Sequence, residues 1–153
     1  MTKFLETIGS ANLYTDEERF FITNVDNAIV FTATYEAEIV NYFNVLTNLR
    51  IWRSMYYSFG DISLSHKMFF KYILPIKGIV VSDKSRTAEG KRFWEARVAE
   101  ALALGFYSYV FNEDTETFHP IDSYSSLSKK SNEIWDYKGD FLNYRIFIST
   151  KAL

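Results

Sequence analysis

The stretch IKGIVVSDKSRTAEGKRFWEARVAEALALGFYSYVF, residues 76–111, constrains the fold more than any other part of the chain. Its β-branched opening, IKGIVVS, reads as a strand, with Gly78 marking a bulge or a close backbone approach. A short basic turn holding Gly90 follows. It leads into a helix on which Trp94, Val98, Ala101 and Leu102 share one stripe, with Phe93 beside it and Arg92, Glu95 and Glu100 mostly off it. Gly105 is placed to stop that helix, and FYSYVF reads as the next strand. The order strand, helix, strand predicts an α/β sheet with a parallel crossover.

The remaining segments are read by the same periodicities. FFITNVDNAIVFTATY reads as two strands about a turn at Val25-Asp26-Asn27-Ala28. In EAEIVNYFNVLTNLRIWRSMYY, the residues Ile39, Tyr42, Phe43, Leu46, Leu49 and Trp52 recur at three- and four-residue spacing, which predicts a helix. SHKMFFKYILP fits a helix or a buried strand, ended in either case by Pro75. NEDTETFHPIDSYSS reads as an acidic connection, KKSNEIWDYKG as a short helix, and FLNYRIFIST as a last strand with Leu142, Tyr144, Ile146 and Ile148 on one face, free to run antiparallel. No repeat or linker interrupts the chain, so residues 1–153 are expected to form one mixed-sheet α/β domain.

Bulk properties remove several functional classes. A net charge of −2 gives no global attraction to nucleic acid. The absence of cysteine rules out disulfides, thiolate metal sites and a cysteine nucleophile. No run approaches the roughly 20 apolar residues of a membrane span, and MTKFLETIGSANLYTDEERFF lacks the apolar centre of a signal peptide. The expected location is the cytoplasm. Aromatic residues make 18% of the chain, which a core alone accommodates or which serves a core plus a partner surface. The doublets Phe20-Phe21, Tyr56-Tyr57 and Phe69-Phe70 bear on that choice, since strand neighbours point to opposite faces and one ring of a pair needs a second cover. A protein partner or a homo-oligomer is the partner expected.

Residues 83–92 carry the clearest chemical pattern. Lys84, Arg86, Lys91 and Arg92 outnumber Asp83 and Glu89 at the start of a helix, whose unpaired N–H groups attract anions. Arg86 suits bidentate phosphate contacts and Gly90 a close backbone approach. Glu89 suits a helix start but repels an incoming pyrophosphate. An ordinary charged helix start therefore stands beside a phosphate loop as the alternative reading. No Walker or GxGxxG pattern is present. His66 and His119 stand apart from one another and outside H-x-x-x-H spacing, so no metal site is expected. Glu113, Asp114, Glu116 and Asp122 lack EF-hand spacing and read as a solvated loop.

Strand, R-x-x-x-G-K loop, amphipathic helix, Gly-Phe and strand together resemble the GNAT family of N-acetyltransferases. In that family an R/Q-x-x-G-x-G/A loop binds the pyrophosphate of acetyl-CoA through its amides. Arg86 stands at the first position, Glu89 and Lys91 where glycines are expected, and Gly90 between them. SNEIWDYKGDFLNYRIFIST is similar to the family's late segment, through Asn132, Tyr137, Gly139 and Phe141. The small GNAT-like proteins of tailed phages are similar too, which would place the protein in a host cytoplasm or a virion. The resemblance covers roughly residues 76–150 and implies a GNAT-like domain with a central strand–loop–helix–strand unit. It implies that Arg86, Thr87, Ala88, Gly90, Lys91 and Arg92 hold acetyl-CoA or another acyl-CoA. It also implies an acyl carbonyl lodged in a splay between strands near 78–82 and 106–111, and direct attack by an amine. Tyr137 would protonate the leaving thiolate, and Asp83 is the nearest acidic candidate for the base. The alternative is a non-catalytic, phage-type structural or protein-interaction protein on a degenerate fold of the same kind.

Overall fold

A run of antiparallel strands builds the N-terminal part, each strand paired with the next: β1 (Lys3–Ile8), β2 (Ala11–Thr15), β3 (Arg19–Thr23), β4 (Ile29–Val40) and β5 (Phe43–Arg53). The computed structural model describes residues 1–60, 63–83, 88–123, 125–129 and 144–153. Short polar residues make the turns. The Asp16 carboxylate accepts hydrogen bonds from the Glu18 and Arg19 amides, and the Asn24 side chain accepts from those of Asp26 and Ala28. The β3–β4 turn lies where the sequence predicts it.

The helix predicted across residues 36–57 is not formed; β4 and β5 are a long hairpin instead. Asn41 (φ 47°) and Tyr42 (φ 71°) both take the left-handed conformation that a tight two-residue hairpin needs. A bulge then explains the helix-like spacing. Thr34 pairs with Arg50 and Glu36 with Thr47, so Asn48 and Leu49 together oppose Tyr35, with Asn48 at φ 52°. The extra residue shifts the alternation, and the core-packed Leu46 and Leu49 fall three positions apart.

SHKMFFKYILP resolves as helix: α1 (Leu64–Lys67), a π-helical segment (Met68–Ile73) and α2 (Leu74–Lys77) follow without a break. Pro75 sits in the first turn of α2 rather than ending the element, and the wider π turn before it relieves the clash of its ring with the preceding turn. Gly78 is the left-handed stop of α2 at φ 76°, its amide bonded to the Leu74 carbonyl, rather than a strand bulge. It is also a close approach. An added Cβ would lie 3.1 Å from Thr150 Oγ1, and the Thr150 amide donates to the Gly78 carbonyl.

α3 (Ala88–Leu104), β7 (Tyr107–Asn112) and β9 (Tyr144–Ser149) match the predicted elements, Gly105 (φ 80°) closes α3, and the predicted strand IKGIVVS forms only as β6 (Ile79–Val81), its Ile76 and Lys77 belonging to α2. The acidic connection holds a further strand, β8 (Thr117–Pro120), paired antiparallel with β7. A helical turn covers 125–129. The nine strands among the described residues join one mixed sheet in the order β1-β2-β3-β4-β5-β6-β9-β7-β8. β6 and β7 are not neighbours, because β9 lies between them and pairs antiparallel with both. The parallel pair is one unit earlier in the chain, β5 with β6, crossed over by the α1–α2 segment. No helix among the described residues is long and apolar enough to cross a membrane.

The helices cover one face of the sheet. Met68, Phe69, Ile73, Trp94 and Val98 pack there on strand residues such as Leu13, Phe31, Leu46 and Ile146. On the other face Val45, Ile79, Val81, Tyr109 and Phe147 form a second cluster to which no helix contributes. Curvature covers it. In a flat sheet β5 and β8 would stand about 19 Å apart, four strand spacings. The rings of Phe43 at the start of β5 and Phe118 in β8 nevertheless meet edge to face, with centroids 6.0 Å apart.

One charged staple ties the edge strand to the helices. Lys67, Lys71 and the Tyr72 hydroxyl all donate to the Glu6 carboxylate. The hydrogen bond from Lys67, then that from Lys71, holds the Glu6 carboxyl below its ordinary value of 4.5. A lowered carboxyl pKa stabilises the fold above the unfolded value, and the effect is lost as pH falls through the folded value. Glu6→Gln is expected to lower unfolding free energy by about 1–2 kcal/mol at neutral pH. In urea titrations the gap between wild type and variant should close below pH 4.5. An undiminished gap at low pH would refute this role.

Candidate ligand cleft

The parallel contact between β5 and β6 is a single residue pair, Leu46 with Val80. Beyond it no further residue pair joins the two strands, since β6 ends at Val81 and β5 bulges at Asn48 and Leu49. β6 cannot follow β5, because Ser82 at its exit is held from the opposite side. The Ser82 amide donates to the Ile146 carbonyl at 2.9 Å, its Oγ accepts from the Ile146 amide at 2.8 Å, and its carbonyl accepts from Arg145 Nε at 2.8 Å. Arg145 is 6% exposed and also pairs with Glu113 at 3.3 Å.

These strands and the start of α3 enclose an open cavity of about 340 Å³, lined by Leu49, Arg50, Ile51, Asp83, Glu89, Gly90, Phe93 and Trp94. Leu49, Ile51, Phe93 and Trp94 supply apolar walls, while Arg50, Asp83 and Glu89 supply charge. An apolar cleft with a few polar groups is the ordinary form of a small-molecule site. Trp94 is fixed in this wall, 6% exposed, with its ring edge-to-face on Phe69 at 6.0 Å. Arg50 spans the gap and forms an ion pair with Asp83.

Of the residues predicted from sequence, Asp83 and Gly90 meet in this cleft, and Ala88 begins α3 beside it. Lys91 and Arg92 line a different groove, with Glu95, Ala99 and Leu127, and Lys91 lies 3.8 Å from Glu95. Of the expected cradle, Gly90 therefore faces the cleft, while the basic Lys91 and Arg92 together line the other groove. Arg86, Thr87 and Tyr137 lie outside the described residues. The splay expected between 78–82 and 106–111 is filled by β9. Leu49, Arg50 and Ile51 escaped the sequence reading because their segment reads as a helix; the left-handed Asn41-Tyr42 turn was the signal that could have found them.

The remaining candidates have structural partners. His66 Nδ1 lies 3.1 Å from Glu100 and its ring packs on Phe70, and His119 Nε2 lies 3.3 Å from Thr117 Oγ1. Glu100 also receives both Nε and Nη2 of Arg97, at 2.7 and 2.9 Å. Glu113 of the acidic segment is the partner of Arg145 rather than only a solvated charge.

The chain matches no family model, no curated protein and no solved structure.

The cleft's two kinds of wall should respond differently to mutation. Arg50 is 63% exposed, so Arg50→Ala is expected to cost less than about 1 kcal/mol of stability. Trp94→Ala empties a packed wall and is expected to cost about 3–5 kcal/mol. Urea unfolding of both variants measures the contrast, and equal losses would contradict it.

Proposed function

We propose that the chain is a divergent GNAT-like N-acyltransferase that binds an acyl-CoA in the cleft between β5 and β6. The observation that carries this reading is a cavity with an apolar wall, beside a helix start, where the parallel pairing of β5 and β6 ends after one residue pair. Where parallel pairing ends, backbone N–H and C=O groups on the facing edges are left for an extended, amide-bearing ligand. The apolar walls of Leu49, Ile51, Phe93 and Trp94 fit the acyl-thioester end of such a ligand. For its phosphates the sequence offers Arg86, Thr87, Ala88, Gly90, Lys91 and Arg92. The reading moves the splay from the β6–β7 unit to the β5–β6 unit.

When bound, the cofactor supplies an activated acyl group. The chain's own residues orient the acceptor and handle protons. Asp83 stands at the cleft mouth, 19% exposed and ion-paired with Arg50, and is the carboxylate that accepts the proton of an attacking amine. Tyr137 donates a proton to the leaving thiolate. A second reading, a non-catalytic interaction protein of the phage type, draws support from Glu89, whose charge lines the cleft where phosphates would approach.

Calorimetric titration of acetyl-CoA and of free CoA separates the two. Under the acyltransferase reading wild type binds both, and Arg86→Ala weakens binding about tenfold, the loss of one charge-assisted contact. Leu49→Trp, which fills the cleft, abolishes binding. Asp83→Asn leaves binding in place and lowers the acyl-transfer rate. Absence of binding to wild type at millimolar ligand would end this reading in favour of the second.

A further inference from the structure

Among the described residues, the face of the sheet away from the helices is covered over only part of its width. Across β6, β9, β7 and β8 it is closed by curvature and by the start of β5. Across β1 to β5 it carries one cross-strand row: Phe4 pairs with Tyr14, Tyr14 with Phe21, Phe21 with Thr32, and Thr32 with Trp52. These residues alternate with the core-facing Leu13, Phe20, Ile22, Phe31 and Ile51, so all five point away from the helices. Phe4 is 53% and Trp52 52% exposed at the two ends of the row. Ile29, paired with Thr23, adds a further exposed apolar side chain on this face.

Further apolar side chains stand exposed in the loops at the ends of these strands. Val25 stands exposed in the β3–β4 turn. Met55 and Tyr56 stand exposed in the loop that the Ser54 amide ties to the Val30 carbonyl at 2.8 Å. Together with Phe4, Ile29 and Trp52 these side chains expose on the order of 800 Å², about what one side of a standard protein interface buries. Patches of this size on a lone soluble chain mark an interaction site.

We propose that this face is a symmetric interface with a second copy of the same chain. Its area is what a stable dimer needs from each partner. Arg19 is the charge at its centre, over the Phe21 ring, and the charges there and beside it are held in internal pairs of both signs, Arg19 with Asp16 and Arg50 with Asp83. Such a surface is complementary to itself, as a two-fold interface requires. A net charge of −2 leaves little repulsion between copies. Stacking of nucleobases is the poorer fit. The Phe21 ring is stacked by Tyr14 at 5.3 Å and covered by the Arg19 guanidinium at 4.6 Å, so it offers no free face.

Sedimentation equilibrium of the full chain tests the proposal, independently of any acyl-CoA. Wild type is expected to be dimeric at tens of micromolar. Trp52→Glu, at one end of the row, and Phe4→Lys, at the other, are each expected to weaken the dimer at least about 100-fold, as loss of an aromatic anchor does. Tyr42→Glu, at the hairpin tip and away from the patch, should leave it unchanged. Circular dichroism reports whether each variant is folded, and either folded end variant decides the matter. A monomeric wild type at about 100 µM overturns the proposal and leaves the face to a different protein. A folded Trp52→Glu or Phe4→Lys variant that dimerises as tightly as wild type overturns it as well.

Discussion

Ile79, Val80 and Val81 carry more of this structure than their number suggests. They form the whole of β6, and β6 is the only join between the antiparallel β1–β5 run and the β9-β7-β8 group in the described sheet. All three are buried, Val80 against the helices and Ile79 and Val81 in the second cluster. On the β9 side the join is complete, with three paired residues. On the β5 side it is one pair. Burial on both faces holds β6 in place by packing where hydrogen bonds are few, and a strand so held can stand apart from its neighbour. The cleft follows from that asymmetry.

Charge is distributed around the cleft by the same geometry. Ser82 is fixed from the β9 side, which delivers Asp83 to the cleft mouth, and the alternation of β5 after its bulge sends Arg50 across to meet it. Leu49 and Ile51 turn the other way, into the apolar wall. At the start of α3 successive side chains diverge by about 100°. Glu89 and Gly90 therefore face the cleft while Lys91 and Arg92 face the opposite groove. Lys91 and Arg92 stay together, and it is the acidic Glu89 that the helix turns away from them.

This explains what the sequence disclosed and what it withheld. IKGIVVS, the Trp94–Val98–Ala101 stripe, Gly105 and FYSYVF announced β6, α3, its stop and β7, because each pattern is local and is completed by packing on one face. The β4–β5 hairpin was hidden by its bulge, whose extra residue gave Leu46 and Leu49 a helical spacing. β8 was hidden by its composition, since an edge strand with one paired neighbour tolerates Thr117, His119 and Pro120. The cleft could not be read from the α3 segment alone, because half of its lining comes from β5. Among the doublets, Phe20 and Phe21 do point to opposite faces, and the second ring is buried there under Tyr14 and the Arg19 guanidinium.

The place of β9 also has a consequence in time. β9 is made after β6, β7 and β8 and yet lies between β6 and β7. A chain emerging from the ribosome can close the β1–β5 meander and pack α1 and α2 on it as it is made, since all of those residues precede β6. It cannot join β6 to β7 until residues 144–149 arrive to fill the slot. Until then two buried-type strands hold open edges, one of them ending at the future cleft. The slow, long-range step of assembly and the exposure of its stickiest edges therefore coincide in a single late insertion.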